Sequence, residues 1–188
     1  MNDLVSMNRQ IGKLLQTRSL KVGQFTLASG RSSHYYVDGR KVTLSADGAR
    51  LIGEQMLRQI ESLDSVAAIG GLTMGADPIV GAPLAAAGLT RPELVGFLVR
   101  KAPKQHGTNQ LVEGPVQAGM DVVVVEDVTT TGASALQAVD AVEAIGCRVV
   151  QVITVLDRLE GAGEAFERRQ IPFHALVTIR DLGVEPLA

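Results

Sequence analysis

Two adjacent carboxylates, Glu126 and Asp127, follow a run of four valines in the segment DVVVVEDVTTTGAS, which spans residues 121–134. A turn rich in threonine comes directly after them. Neighbouring like charges raise each other's pKa and cost stability, so their place at the end of an apolar strand indicates a function. Carboxylates accept hydrogen bonds, and the vicinal hydroxyls of a sugar are donors that such a pair can bind.

The turn TTTGAS, residues 129–134, connects this strand to a predicted helix. Unpaired N–H groups and the helix dipole favour an anion at the beginning of a helix. The hydroxyls add donors, and Gly132 allows a ligand to approach the backbone closely. An ordinary capped turn would have the same composition, and the turn alone does not separate the two interpretations. Beside the carboxylate pair, however, a phosphate cradle predicts a site for a ribose phosphate.

A cationic segment, RKAPKQHGTNQLVEG, occupies residues 100–114. Arg100, Lys101, Lys104 and His106 fall within seven residues with no acid among them. Such a run is commonly a solvated surface loop, but a long connection between strands with little apolar content is more often functional. A cationic loop could neutralise charge on a diphosphate leaving group and exclude water when it closes.

The hydrophobic pattern predicts the elements that must hold these groups. Val- and Ile-rich runs predict strands at 65–71, 93–100, 121–127, 147–158 and 172–179. Helical spacing of apolar residues predicts helices at 4–16, 47–62, 77–88, 134–146 and 161–169, and an irregular strand pair is expected over 25–44. Alternating strands and helices indicate a parallel sheet covered on both faces. Ligands of such sheets bind outside the carboxyl ends of the strands, where Glu126, Asp127, Arg100 and Arg158 all fall.

The composition excludes several classes of function. The chain has 188 residues, which suits one domain, and a net charge of −2, which gives no attraction to nucleic acid or membrane. Cys147 is the one cysteine, so an internal disulfide and a cysteine-based zinc site are excluded, and a reducing compartment is indicated. The three histidines are too scattered to suggest a metal site. With no signal peptide and no long apolar run in the sequence, we expect a cytoplasmic protein.

The segment VVVVEDVTTTGAS resembles the phosphoribosyl diphosphate (PRPP) signature of the type I phosphoribosyltransferases, in which four hydrophobic residues precede two acids and a Thr/Gly-rich loop. In that family the acids hold the ribose 2- and 3-hydroxyls and the loop holds the 5-phosphate. The resemblance therefore implies a set of PRPP-binding residues in this segment. They are Glu126, Asp127, Val128, Thr129, Thr130, Thr131, Gly132, Ala133 and Ser134.

Within that superfamily, the cationic segment resembles the catalytic loop of the orotate phosphoribosyltransferases, whose pattern is Arg-Lys-x-x-Lys-x-His-Gly. The resemblance implies PRPP contacts from Arg100, Lys101, Lys104 and His106, and catalytic roles for Lys101 and Asp127. The segment FTLASGRSSHYYVDGRK, residues 25–41, resembles the hood that covers the base in these enzymes.

Two further residues are implied to bind orotate. Arg158, at the end of VITVLDR, matches the arginine of the orotate family that contacts the pyrimidine, and Thr130 is implied as a second contact. A lone arginine at a strand end is more commonly part of a surface ion pair. A planar guanidinium fork nevertheless suits the carboxylate and carbonyl oxygens of orotate.

The resemblance runs from about residue 10 to residue 160 and implies an α/β type I phosphoribosyltransferase fold over residues 1–188. This is a single domain with a central, mostly parallel sheet flanked by helices and a small hood formed mainly by about residues 1–45. It also implies a two-fold homodimer with Lys101 acting in the neighbouring site. Mg²⁺ would bind mainly through PRPP and water, with no metal ligand from the protein. The expected reaction joins orotate to PRPP, giving orotidine 5-monophosphate and diphosphate in de novo pyrimidine (UMP) biosynthesis.

Two alternatives remain open, and the sequence departs from the family at three positions. The chain could be a phosphoribosyltransferase for a purine or uracil, or a PRPP-sensing regulator without turnover. Lys101 and Lys104 favour an enzyme, since a sensor has no need of them. Many bacterial relatives carry a lysine where this chain has Ala28, and Tyr-Lys where it has Thr73 and Met74, so two cationic PRPP contacts have no counterpart at these positions.

Overall fold

A computed structural model describes residues 2–26, 30, 32–63, 65–88, 90–102 and 110–187 of the chain. The strands are β1 (Leu20–Thr26), β2 (Ser32–Val37), β3 (Val66–Leu72), β4 (Val95–Val99), β5 (Val112–Glu113), β6 (Asp121–Thr129), β7 (Arg148–Asp157) and β8 (Phe173–Thr178). The α-helices are α1 (Asn2–Leu14), α2 (Arg40–Thr43), α3 (Ala46–Glu61), α4 (Ala76–Ala87), α5 (Ala133–Ala144) and α6 (Ala162–Arg168). A π-helical turn (Leu15–Ser19) and a 3-10 turn (Ile179–Leu182) complete the described elements.

Within the described residues, six strands form the central sheet in the order β5-β4-β3-β6-β7-β8. Neighbouring strands are parallel except for β5, which runs antiparallel to β4 at one edge. The predicted mostly parallel α/β sheet is confirmed. The chain builds outward from β3 to β4 and β5, then returns to the other side of β3 with β6. A crevice forms between the carboxyl ends of β3 and β6, because the following helices leave on opposite faces.

Helices cover both faces of this sheet. Helices α1, α3 and α4 pack on the face that receives Val123 and Val125 of β6. Helices α5 and α6 pack on the other face, which receives Val122 and Val124. All four valines are buried, which explains why the strand is continuously apolar instead of alternating.

The buried face of α5 differs from the predicted one. In the predicted helix 134–146, helical spacing places Leu136, Val139, Val142 and Ile145 on one apolar face, but Ile145 is 41% exposed. The helix packs through Val139 and Val142 together with buried alanines at 135 and 138. Small side chains let the helix approach the sheet closely, and the helix ends at Ala144, one residue before Ile145. The predicted face is therefore wrong at its carboxyl end.

The hood is an antiparallel pair, β1 and β2, that forms a sheet of its own. Helix α1 is not part of it, because Met7 and Ile11 are buried in the core beneath the main sheet. The separate hood sheet therefore spans residues 20–37, a narrower range than the expected 1–45. Ser33 and Tyr35 are its buried side chains, and Tyr35 is fully buried. The hood thus points a tyrosine towards the body of the protein.

Candidate active site

A pocket of about 210 Å³ lies at the crevice between β3 and β6. The residues that line it come from β3, the turn into α4, the beginning of the cationic segment, β6 and α5. They are Leu72, Thr73, Met74, Gly75, Ala76, Lys101, Val125, Glu126, Asp127, Val128, Ser134 and Ala135. Five residues predicted to bind PRPP thus line one cavity. They are Lys101, Glu126, Asp127, Val128 and Ser134.

The carboxylate pair lies within β6, which continues to Thr129 instead of ending at residue 127. Successive side chains of a strand point to opposite faces, so Glu126 and Asp127 diverge. The Thr129 hydroxyl donates to Glu126 Oε2 at 2.7 Å. Asp127 instead lies against glycine backbones. A Cβ atom on Gly75 would stand 2.5 Å from Asp127 Oδ1, and one on Gly39 would stand 3.2 Å from Oδ2.

Burial raises the pKa of both carboxyl groups. The pKa of Glu126 rises to about 7, mainly because burial disfavours its charged form, while the hydrogen bond from Thr129 opposes the rise. The pKa of Asp127 is also raised by burial, against hydrogen bonds from the backbone. The expected like-charge repulsion is present, since the charge of Asp127 raises the pKa of Glu126, but it is smaller than the effect of burial.

The threonine turn is held from both sides. Gly132 has a φ of +79°, a left-handed conformation, and a Cβ atom there would lie 3.0 Å from Phe166 Cζ of α6. Helix α5 begins at Ala133 without a side-chain cap from Gly132, and Thr131 and Ser134 are exposed. The first N–H groups of α5 are therefore available to a ligand.

Thr129 has a different surrounding from its neighbours in the turn. Its side chain is fully buried, and its hydroxyl lies 2.9 Å from the hydroxyl of Thr154 as well as bonding Glu126. The Thr129 hydroxyl thus orients a carboxylate and is turned away from the solvent-facing part of the turn. The expectation that its side chain binds phosphate does not fit this geometry. In the same turn, Thr130 is half-buried and Ala133 is exposed.

The cationic segment is described only at its two ends. The Arg100 N–H donates to Leu111 O at 2.9 Å, and the Arg100 side chain lies 3.5 Å from Glu113, so β4 and β5 close the base of the loop. Arg100 does not line the pocket, whereas the exposed Lys101 does. In the single chain, Lys101 thus lies at the site of its own protomer. Lys104 and His106 lie outside the described residues, as does Ala28.

Arg158 is buried at the end of β7 and does not line the 210 Å³ pocket. Its backbone N–H donates to Thr129 O at 2.9 Å, which places it beside the threonine turn. Its Nε lies 3.2 Å from the Tyr35 hydroxyl, and its Nη2 lies 2.8 Å from Glu160. The hood tyrosine and Glu160 are partners that sequence reasoning missed. Tyr35 stands in the hood segment already singled out, whereas Glu160 follows VITVLDR by two residues, and the contact between them is tertiary.

The turn after β3 lines the pocket beside Asp127. Thr73 and Met74 both line the pocket, and the peptide bond between them is cis. Met74 is 68% exposed, and its uncharged thioether supplies no cation at a position where many relatives are expected to have a lysine. The glycines of the segment GGLTMGAD predict a turn whose backbone N–H groups lie near the ligand, and part of this segment lines the pocket. Gly39 and Gly75 were not predicted as site residues, although glycines where a backbone meets a carboxylate are a recognisable signal.

Residues 65–168 match the phosphoribosyl transferase domain. An orotate phosphoribosyltransferase of Rhodopirellula baltica is 48% identical over 189 residues, covering 96% of this chain and 98% of the relative. The chain belongs to the orotate phosphoribosyltransferase family. The resemblance found in the sequence is therefore confirmed.

Solved structures of the orotate phosphoribosyltransferase family share this fold. The Mycobacterium tuberculosis enzyme, in complex with Fe(III) dicitrate, superposes with a TM-score of 0.84 at 42% identity, covering 95% of this chain and 99% of that one. The same enzyme in complex with PRPP gives a TM-score of 0.80 at 39% identity and the same coverage. The structure of orotate phosphoribosyltransferase from Aeropyrum pernix gives a TM-score of 0.72 at 26% identity, covering 92% of this chain and 95% of that one.

In the described part of the chain, no helix is both long and apolar enough to cross a membrane.

Proposed function

We infer that this chain transfers the 5-phosphoribosyl group from PRPP to orotate, giving orotidine 5-monophosphate and diphosphate in pyrimidine nucleotide biosynthesis. One observation carries the inference from the geometry. A carboxylate pair, the beginning of α5 and Lys101 meet in one pocket at the switch point of the sheet. The near full-length similarity to proteins named orotate phosphoribosyltransferase selects the base.

The ribose phosphate is proposed to bind across β6 and α5. Glu126 and Asp127 accept hydrogen bonds from the ribose 2- and 3-hydroxyls, for which their ionised forms are the better acceptors. The turn from Val128 to Ser134 holds the 5-phosphate through backbone N–H groups at the beginning of α5 and through the hydroxyls of Thr130, Thr131 and Ser134. Thr129 contributes through its backbone and through its hydrogen bond to Glu126.

The reaction is a displacement at the anomeric carbon of the ribose. Positive charge grows on the ribose while negative charge grows on the departing diphosphate. The Asp127 carboxylate is proposed to face the ribose and offset the first charge, and Lys101, which lines the same pocket, to offset the second. Orotate brings its own negative charge after ionisation of the ring, so no strong protein base is required.

Mg²⁺ is proposed to accompany PRPP. The chemistry of the donors fits, since Glu126 and Asp127 present carboxylate oxygens to the pocket, and hard oxygen ligands are those that Mg²⁺ prefers. The diphosphate and water would supply the main coordination positions, as the resemblance implies. When bound, the ion neutralises charge on the diphosphate.

The remaining residue assignments are predictions. Arg158 and Thr130 are proposed to bind orotate, in agreement with the hydrogen bond between the backbones of Arg158 and Thr129. Arg100, Lys104 and His106 are proposed to reach PRPP when the cationic loop closes. The exposed start of that loop at Lys101 and its closed base at β5 support a loop that can extend from the sheet.

The oligomeric state and the cellular location of the protein are proposals. A two-fold homodimer is proposed from the resemblance, with Lys101 predicted to act in the neighbouring site. The place of Lys101 at its own pocket in the single chain argues for the opposite arrangement, and only a mixed dimer can separate the two. A cytoplasmic location stays a prediction.

One assay tests the proposed function directly. Purified protein is mixed with orotate, PRPP and Mg²⁺, and the loss of orotate absorbance is followed, with adenine, hypoxanthine and uracil as alternative bases. Turnover with orotate alone is expected. Turnover with another base would indicate a different phosphoribosyltransferase, and PRPP binding without turnover of any base would indicate a sensor.

A further inference from the structure

The ion pair between Arg158 and Glu160 is buried on both sides. Their side chains are 9% and 7% exposed, whereas those of the Arg169–Asp140 pair are 38% and 62% exposed. Removing two charges from water costs free energy that their attraction recovers only with good geometry and additional hydrogen bonds. Burial alone is therefore a weak reason to assign this ion pair a stabilising role. The geometry of the pair indicates another role.

Three contacts hold the guanidinium of Arg158 in one orientation. Its Nε donates to the Tyr35 hydroxyl at 3.2 Å, and that hydroxyl donates to Glu160 Oε1 at 3.0 Å. The same Glu160 oxygen lies 2.8 Å from Nη2, which closes a triangle of the three side chains. The ring of Tyr35 adds a cation–π contact, with its centre 4.7 Å from the guanidinium carbon.

These contacts leave hydrogen-bond donors of the guanidinium unused. Among the described residues, Nη1 has no hydrogen-bond partner, and the buried Nη2 has no aligned hydrogen bond despite its ion pair. The Nη1–Nη2 edge is a planar donor fork that matches a carboxylate or a pair of carbonyl oxygens. The hydrogen bond from the Arg158 backbone to Thr129 O sets this fork beside the threonine turn.

We propose that Glu160, together with Tyr35, is a positioning residue for base recognition that holds Arg158 with its Nη1–Nη2 edge turned towards the base. The proposal rests on the proposed function, since it takes orotate as the base that Arg158 contacts. Glu160 itself touches no substrate. Because its charge balances that of Arg158, selection of the base depends on the direction of the donors more than on net positive charge.

The test compares Glu160→Gln with Glu143→Gln, a matched control in an exposed ion pair with Arg169. Steady-state kinetics are measured for both substrates, and folding is checked by thermal unfolding. Glu160→Gln is expected to raise the KM for orotate about tenfold, the effect of one weakened charge-assisted contact, and to leave the KM for PRPP unchanged. Tyr35→Phe removes only the hydroxyl and is expected to act in the same direction, so it carries the test if Glu160→Gln does not fold.

A second comparison isolates the action through Arg158. In an Arg158→Ala background, Glu160→Gln should cause no further rise in the orotate KM, because the group that it positions is gone. A further rise there, an equal rise for both substrates, or an unchanged orotate KM in both Glu160→Gln and Tyr35→Phe would each overturn the proposal. Absence of orotate turnover in the unaltered protein is a separate result, since it refutes the proposed function before any variant is compared.

Discussion

At the scale of single residues, Arg158 is the group whose chemistry best matches the base. Arg158→Ala is expected to raise the KM for orotate roughly ten- to hundredfold, as for loss of a charge-assisted contact worth about 1.5–3 kcal/mol, and to change the KM for PRPP far less. The protein should also become less stable, because Glu160 would remain buried without its cation.

Kinetics with each substrate varied in turn check this expectation. Arg180→Ala is the control, since it removes an arginine from an exposed ion pair with Glu185. Equal effects of Arg158→Ala on the two substrates would count against a role in base recognition.

Also at the scale of single residues, Glu126 should make the stability of the protein depend on pH. Its pKa is raised in the folded protein to about 7 from an ordinary value of 4.5, so folding favours the protonated form. The resulting stabilisation is fully present below pH 4.5 and is lost as the pH rises through 7, because the unfolded chain ionises first. The amide of Glu126→Gln does not ionise. The free energy of unfolding of the unaltered protein should therefore fall by about 1–3 kcal/mol relative to that of this variant over that pH range.

Urea unfolding at several pH values from 4.5 to 8 measures the difference. Asp127, whose pKa is also raised, titrates in both proteins and contributes to both curves. Parallel curves for the two proteins would show that Glu126 is not the group responsible.

At the scale of elements, the threonine turn depends on the packing of α6 behind it. Gly132→Ala is expected to destabilise the protein by about 1–2 kcal/mol, because a Cβ atom is strained at positive φ. The new atom would also meet Phe166 at 3.0 Å and displace the beginning of α5, so the KM for PRPP should rise.

Gly161→Ala provides a control that separates strain from displacement. Gly161 precedes α6 with a φ of +103°, but nothing within 4 Å would meet its Cβ atom. Both variants should lose stability in urea, and only Gly132→Ala should raise the KM for PRPP. A similar rise in Gly161→Ala would mean that α6 acts on the site in another way than through Gly132.

At the scale of the whole molecule, the question is whether one protomer completes the site of another. Lys101→Ala alone should lower kcat about 10²–10³-fold, as for loss of one charge contact in the transition state. Asp127→Asn should be nearly inactive as well. If Lys101 acts in trans, a mixed dimer of the two variants has one intact site, and equal amounts should recover roughly a quarter of the activity by two-fold counting.

Mixing the two inactive variants after subunit exchange provides the measurement, with native mass spectrometry to establish that mixed dimers form. Recovery of activity is expected because the resemblance to the family implies that Lys101 acts in the neighbouring site. Exchange without any recovered activity would instead assign Lys101 to its own protomer, where it lies in the single chain.

The order of strands and helices, the class of the sheet and the chemistry of the 121–134 segment were predictable from the sequence. They depend on local patterns, such as the valine run of β6, the glycine after α5 and the adjacent carboxylates. Such patterns can be interpreted without knowing which residues they contact in the folded protein. What only the tertiary structure decided are the partners. The alanine face of α5, the burial that raises the pKa of Glu126 more than its neighbour's charge does, and the Tyr35–Glu160–Arg158 triangle all join atoms distant in sequence. Packing sets such distances, and desolvation depends on every surrounding element, so no spacing along the chain encodes them.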